Sequence, residues 1–325
     1  MIISRRGFLQ KALLAGGALL VSPVIRSIGS GSSLQAAGPE SFRFAVIGDS
    51  HLMGNKNPRL KVRLEAAIRE INSLAPQPDF VIHLGDAVHD GTPEQFQYFA
   101  ETIAQLKPKI YFVPGEHDWY FDMGETYRSV FIKGEVPYSF DHKGYHLIIL
   151  NGIGLNDYWS GRKLTPQQRM EIAGTLNHPL QGSFQLGKEQ LAWLQKDLSG
   201  VGRETPLLIF IHPPLYHYYR PWNFWVEDAP EAHLLLRPFQ SVSVFHGHVH
   251  HTVQNEIDRM KFFSTLSTSW PYPYPETGVP KGSAKMPRPG PSNFYDGLGW
   301  SQNTAGNGEM THQDILWTLT PPEGL

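Results

Sequence analysis

Five short clusters in the 325-residue sequence carry side chains able to bind cations or move protons: Gly48-Asp49-Ser50-His51, Gly85-Asp86, Gly115-Glu116-His117-Asp118, His212-Pro213-Pro214 and Gly247-His248-Val249-His250. Imidazoles and carboxylates are the donors that divalent transition ions take up. In Asp-x-His and His-x-His the two side chains stand two positions apart, so on an extended segment both point to the same side and can converge on a pair of metals. Glycine ahead of the ligands lets the chain turn sharply and keeps bulk away from the site. One Gly-Asp turn or one histidine pair is ordinary loop sequence, whereas five such clusters in order are what a dinuclear centre requires. Its chemistry would be hydrolysis by an activated water. Two ions roughly 3.5–4 Å apart polarise water until hydroxide is available near neutral pH, so that no covalent protein intermediate is required.

Each cluster follows a short apolar, β-rich run. Such runs are expected as buried strands at Phe42 to Ile47, Phe80 to Leu84, Ile110 to Val113, His146 to Leu150, Leu207 to Ile211 and Val242 to Phe245. Between the first two, Leu60, Leu64, Ala67, Ile68, Ile71 and Leu74 share one helical face. A second helix is expected from Pro93 to about Leu106 with Thr92 as N-cap, and a third from about Lys188 to Leu198. Strand and helix alternate at first, and strands then follow in quick succession around residues 242 to 266, a pattern that suggests two packed sheets flanked by helices. Two stretches rich in proline and aromatics, 213–230 and 270–300, read as long ordered loops of one domain spanning 38–325.

The composition is 41% hydrophobic and 12% aromatic, enough to bury a substantial core, and the net charge of -2 supplies no bulk field for a polyanion or a membrane surface. No nucleic acid polymer is expected as partner. Cysteine is absent, which removes disulfides, thiolate metal sites and cysteine nucleophiles. Residues 1–37 resemble a twin-arginine export signal with its processing region: Ser4-Arg5-Arg6-Gly7-Phe8-Leu9-Gln10-Lys11, then a modest apolar run from Ala12 to Val21. The resemblance implies recognition by the twin-arginine translocation machinery and a periplasmic or secreted protein without a stable membrane span.

The order of the five clusters resembles that of the calcineurin-like metallophosphoesterases, which include the purple acid phosphatases. The resemblance runs from about Phe42 to about Leu266. It implies an α+β fold, a four-layer α/β/β/α sandwich, with two divalent or mixed-valence ions of iron, manganese or zinc at the strand ends. Carried over by motif, Asp49, His51 and His250 hold the first ion, His212 and His248 the second, and Asp86 bridges both. His117 assists the leaving group or the phosphoryl oxygens, with Asp118 orienting its ring. The family places an Asn where this chain has Glu116, and purple acid phosphatases place a ligating Tyr where it has His89. Glu116 is expected to ligate and to bring one more negative charge, making the site a weaker Lewis acid that favours diesters over dianionic monoesters. Swinging away, or weakening the second site, are the alternatives.

Tyr218, Arg220 and Trp222, close behind His212, are expected either to line the substrate pocket or to pack as an aromatic loop on the sheet, while His246 is expected to be structural. The reading is a hydrolase of small phosphomonoesters or phosphodiesters. A non-catalytic or weakly active metal-binding member of the same fold is the rival. A serine esterase is not supported, since no G-x-S-x-G elbow is present.

Overall fold

The apolar runs become strands because both of their faces are covered. In the computed structural model the described residues are 39–132, 134–153, 163–176, 178, 180, 183–288, 290 and 293–322. In chain order they form β1 (Phe42–Ile47), α1 (Pro58–Ser73), β2 (Phe80–His83), α2 (Pro93–Ile103), β3 (Lys109–Phe112), α3 (Glu116–Trp119), α4 (Glu125–Phe131), β4 (Tyr138–His142) and β5 (Tyr145–Ile149). There follow α5 (Pro166–Ala173), α6 (Gly187–Leu198), β6 (Leu207–Ile211), α7 (Ala229–Leu236), β7 (Val242–His246), β8 (Gln254–Ile257), β9 (Met260–Ser264), β10 (Gly299–Gly306) and β11 (Glu309–Leu316). The export signal expected at residues 1–37 lies outside the described residues, among which no helix is long and apolar enough to cross a membrane.

Two mixed sheets result. One has the order β11-β10-β1-β2-β3 and the other β4-β5-β6-β7-β9-β8. The three strands β1, β2 and β3 run parallel, as do β5, β6, β7 and β9. Alternation along β1 sends Phe42, Phe44 and Val46 into the space between the sheets, with Phe80 and Ile82 beside them and Leu147, Leu208, Phe210 and Phe245 opposite. Phe44 meets Phe210 and Phe245 edge-on, with ring centroids 5.9 and 5.5 Å away. The intervening residues Ala45 and Ile47 turn outward into a second core that includes the apolar face of α1. The helices therefore cover the outer faces of the sheets, giving the α+β arrangement of two packed sheets flanked by helices anticipated from sequence.

The helix starts follow local chemistry. Thr92 Oγ1 accepts the Gln95 backbone N–H at 3.4 Å at the start of α2, and Pro93 occupies the first turn, where its missing N–H costs nothing. The hairpin of β10 and β11 was not anticipated, and β10 begins at Gly299, within the stretch 270–300 read as a loop. It turns at Asn307-Gly308, both in the left-handed region with φ of 53° and 76°, and pairs antiparallel with β1 from Phe42↔Ala305 onward.

One carboxylate anchors that hairpin to α1. Glu70 Oε2 accepts the indole N–H groups of Trp300 at 2.6 Å and Trp317 at 2.8 Å, and both indoles are buried. Removing the acceptor leaves two buried donors without a partner, each worth about 1–3 kcal/mol. Glu70→Ala should therefore lose roughly 2–5 kcal/mol in urea unfolding, and Glu70→Gln, which keeps an acceptor oxygen, clearly less. Equal midpoints for Glu70→Ala and the wild type would show that the hairpin is held by packing alone.

Candidate metal centre

All five clusters sit just past the carboxyl ends of parallel strands, where open sheets with helices on their faces bind ligands. The chain turns there by adopting left-handed backbone: φ is 51° at Asp49, 45° at His51, 52° at Asp86, 68° at His248 and 49° at His250. Asp and His tolerate this region better than most residues, though at a cost of order 1 kcal/mol each. Backbone pairing fixes the turns. The Asp49 N–H donates to the Gly85 carbonyl at 2.9 Å and the His51 N–H to the Asp86 carbonyl at 2.9 Å, carrying the β1–β2 pairing beyond the strands. Gly85, at φ +93°, has no room for a side chain, because a Cβ would sit 2.8 Å from the Gly115 nitrogen and collide with the His212 ring.

The seven sequence-selected ligand candidates are all buried, and the folding brings them into two adjoining groups. Asp49, His51 and His250 form one, with His250 Nε2 3.2 Å from Asp49 Oδ1 and 3.3 Å from His51 Nε2. Asp86, Glu116, His212 and His248 form the other, with His212 Nε2 3.0 Å from Glu116 Oε2 and His248 Nδ1 2.8 Å from Glu116 Oε1. Asp86 Oδ2 lies between the groups, 3.5 Å from His51 Nε2 and 3.3 Å from His212 Nε2. Glu116 thus points into the second group and does not swing away.

The outward-facing ring nitrogens indicate what the inward ones must do. His212 Nδ1 is 2.5 Å from the Leu84 carbonyl and His250 Nδ1 is 2.7 Å from the Trp270 carbonyl. Carbonyls only accept, so both Nδ1 atoms carry protons and both Nε2 atoms of the neutral rings present lone pairs inward. Bare lone pairs facing carboxylate oxygens, as at His212 Nε2, repel unless a cation lies between. His212 Nε2 and Glu116 Oε2 are buried without a hydrogen bond. This donor set fits divalent ions: soft enough for iron, manganese or zinc, deprotonated at the inward atoms, and oriented from behind as ligating histidines usually are.

The ionisation tendencies express the same charge imbalance. For His212, burial favours the neutral ring but is outweighed by Asp86 and Glu116, so its pKa stands well above the usual imidazole value. Burial opposes ionisation of Asp49 and Glu116 too, yet the surrounding imidazoles hold both below the ordinary carboxylate range, Glu116 well below. His51 goes the other way: burial, then repulsion from His117 and His250, push it well below normal. A proton on His212 is thus a counter-ion that metal would replace.

His117 lies beside the first group, its ring centroid 4.6 Å from that of His51. Its Nδ1 donates to the His89 carbonyl at 2.6 Å, leaving Nε2 for chemistry. The expected role of Asp118 needs correction. Its Oδ1 accepts the N–H groups of Ala87 and Val88 at 2.8 and 3.2 Å, and its Oδ2 that of Gly115 at 3.1 Å. Asp118 therefore straps the loop after Asp86 to the start of α3, and the carbonyl of His89 does the ring-orienting expected of it. Burial, then the charge of Asp86, push Asp118 up to about 8, and a cation at Asp86 would remove the second cause.

The expected substrate wall also shifts. Tyr218 is buried, with its hydroxyl 2.9 Å from His251 Nε2, and the Arg220 guanidinium lies over the Trp225 ring on the surface. Trp222, half-buried, packs edge-on against Phe224. The rings that touch the candidate ligands are others. Trp270 stacks on His51 with centroids 4.5 Å apart, Tyr272 on His250 at 4.3 Å, and Phe184 and Phe224 meet His248 edge-on at 5.1 and 5.2 Å. Trp270 and Tyr272 fall in the loop singled out for its aromatics, whereas no spacing marks Phe184. His89, half-buried, places its Nδ1 3.3 Å from His51 Nδ1 and completes a three-imidazole group with His117. Burial, then the neighbouring His117, hold it down to about 4. His246 is buried in β7, as expected of a structural residue.

Comparison with known proteins agrees with this geometry. Among curated proteins, a probable glycerophosphodiester phosphodiesterase from Arcobacter nitrofigilis is 28% identical over 186 residues, 56% of this chain and 60% of that protein's length. A 3',5'-cyclic-nucleotide phosphodiesterase from Nostoc sp. is 22% identical over 236 residues, covering 70% of this chain and 79% of its own. Among solved structures, a dimetal phosphatase from Danio rerio superimposes with a TM-score of 0.58 at 14% identity, covering 85% of this chain and 96% of that one. The profile of the calcineurin-like phosphoesterases matches residues 42–252, the segment that carries every ligand candidate. The chain belongs to the calcineurin-like phosphoesterase family.

Proposed function

We propose that the protein is a dinuclear metal-dependent phosphodiesterase acting on a small diester. The observation that carries this reading is the position of Asp86 Oδ2, within 3.5 Å of His51 Nε2 and 3.3 Å of His212 Nε2, between two groups of inward-facing donors. Asp49, His51 and His250 would hold one ion, Glu116, His212 and His248 the other, and Asp86 both. When bound, the ions would supply Lewis-acid charge for the phosphoryl oxygens and bring the pKa of water toward neutrality. The chain's own residues do the rest. The carbonyls of Leu84 and Trp270 keep two ligands in the correct tautomer, and the strap through Asp118 holds His117 at the edge of the cluster. His117 Nε2, the nitrogen not used by the His89 carbonyl, gives its proton to the leaving oxygen as the bond from phosphorus to that oxygen breaks.

Two features support a diester. Glu116 is a third carboxylate in the cluster and lowers the attraction for a dianionic monoester, and the partly exposed rings of Trp270 and Tyr272 offer flat surface to an organic substituent. The phosphodiesterase names of the two curated relatives support the same preference.

Treatment with a chelator should abolish hydrolysis of bis(p-nitrophenyl) phosphate, and manganese, zinc or iron(II) should restore it. Asp86→Asn should lower both bound metal and turnover, the latter by at least about 100-fold. Full turnover by the chelated protein would overturn the reading. Glu116→Asn should retain metal while raising the ratio of monoester to diester hydrolysis; an unchanged ratio would show that this carboxylate does not set the charge preference. His117→Ala should lose about 100- to 10,000-fold on esters with alkyl leaving groups and far less with p-nitrophenolate, which leaves without a proton. Equal losses on both would rule out proton donation.

A further inference from the structure

We infer that His89 is a positioning residue: its Nδ1 accepts the Nδ1–H of His51 and so fixes Nε2 as the His51 nitrogen turned toward the metals. This inference rests on the dinuclear reading of the centre. Three of its histidines have their tautomer fixed by carbonyl oxygens, which can only accept: His212 by Leu84, His250 by Trp270 and His117 by His89. The outward nitrogen of His51 meets no such oxygen among the described residues. It faces instead the Nδ1 of His89 at 3.3 Å.

The group His51, His89 and His117 has the spacing of a separate metal site, but its hydrogen bonds argue otherwise. A neutral imidazole has one lone pair in its plane. His51 needs its lone pair at Nε2, 3.3 Å from His250 Nε2 and 3.5 Å from Asp86 Oδ2. That leaves its Nδ1 a donor, and His89 Nδ1 the acceptor opposite. The His89 ring is held for this by stacking on His117, with centroids 4.9 Å apart and planes 18° from parallel, and by the edge contact with Trp270 at 5.6 Å. One residue thus sets two histidines: the side chain sets His51, and the backbone carbonyl sets His117. The purpose resembles that of the carbonyls behind His212 and His250, with an imidazole in place of peptide oxygen.

The test uses 15N-histidine-labelled protein, first without metal and then titrated with zinc. Long-range 1H–15N correlation spectra of the metal-free wild type should show His51 protonated on Nδ1. In His89→Leu that proton should move to Nε2 or divide between the nitrogens. In His89→Asn, whose amide oxygen can take the place of Nδ1, it should stay on Nδ1. Zinc affinity should fall about 10- to 100-fold in His89→Leu and stay near wild type in His89→Asn. A purely structural role would move neither the tautomer nor its rescue by Asn. His51 protonated on Nε2 in the wild type overturns the inference, and does so even if His89→Leu fails to fold. Equal zinc affinity in wild type and His89→Leu overturns it alone, with the dinuclear reading intact. Absence of zinc uptake by the wild type overturns the dinuclear reading itself and this inference with it.

Discussion

The cluster around Asp86 Oδ2 is the feature that the surrounding structure must accommodate. Three carboxylates are held there out of water, among imidazoles whose inward nitrogens carry lone pairs. An unpaired buried charge costs several kcal/mol, so the arrangement is tenable only with positive charge inside it, such as the proton on His212 or a metal ion in its place. Five ligand candidates also sit in left-handed backbone. Each is mildly unfavourable, and together they set a strain of a few kcal/mol against the stability of the domain. That strain is opposed by rigid supports: parallel strands on one side of the turns, and hydrogen bonds that continue the β1–β2 pairing into the ligand loops on the other.

The same cluster links both sheets and the second long loop. Asp49 comes from the end of β1 in one sheet, His248 from the end of β7 in the other, and the His248 N–H donates to Asp49 Oδ1 at 3.1 Å. Ser267 Oγ donates to the Asp49 carbonyl at 2.9 Å, and Arg63 of α1 donates to the carbonyls of Ser269 and Phe294. The segment from Ser267 to Tyr272 is therefore tied to α1 behind it and to Asp49 beside it. This ties down the Trp270 carbonyl that fixes His250 and sets the Trp270 and Tyr272 rings over the two histidines. A long proline-rich loop so anchored acts as part of the wall of the site.

The sequence made some of this legible and hid the rest for identifiable reasons. β6 is a continuous apolar run and β1 is broken only by Arg43, because both faces of these strands are covered, and they stand out against the polar turns that follow. The ligand candidates were readable because functional turns at strand ends combine unusual residue types at fixed offsets. The β10–β11 hairpin was missed because β10, Gly299–Gly306, mixes small and polar residues whose inward members include Ser301 and Asn303. Its clearest signal was Asn307-Gly308, a pair suited to a tight hairpin. Tyr218 and Arg220 misled for the opposite reason: proximity in sequence to His212 does not say which way a residue faces in an irregular loop, where no period of 2 or 3.6 applies. Asp118 follows His117 directly, yet at the start of a helical turn its carboxylate reaches back to backbone N–H groups before it reaches a neighbouring ring.

Glu116 shows how a single substitution in such a frame changes charge more than shape. Its carboxylate spans the gap between two imidazoles, one oxygen toward His212 and the other toward His248, and it arrives from the first residue of α3 with the backbone pinned by Asp118. What changes is the balance between ions and ligands, and in a diesterase that balance acts twice. The substrate carries one negative charge on its phosphate, whereas the phosphomonoester product approaches two near neutral pH. A strongly positive centre would hold the product more tightly than the substrate, and one more carboxylate narrows that difference. On the proposed reading, the weaker Lewis acid gives up some activation of water and gains faster release of the dianion.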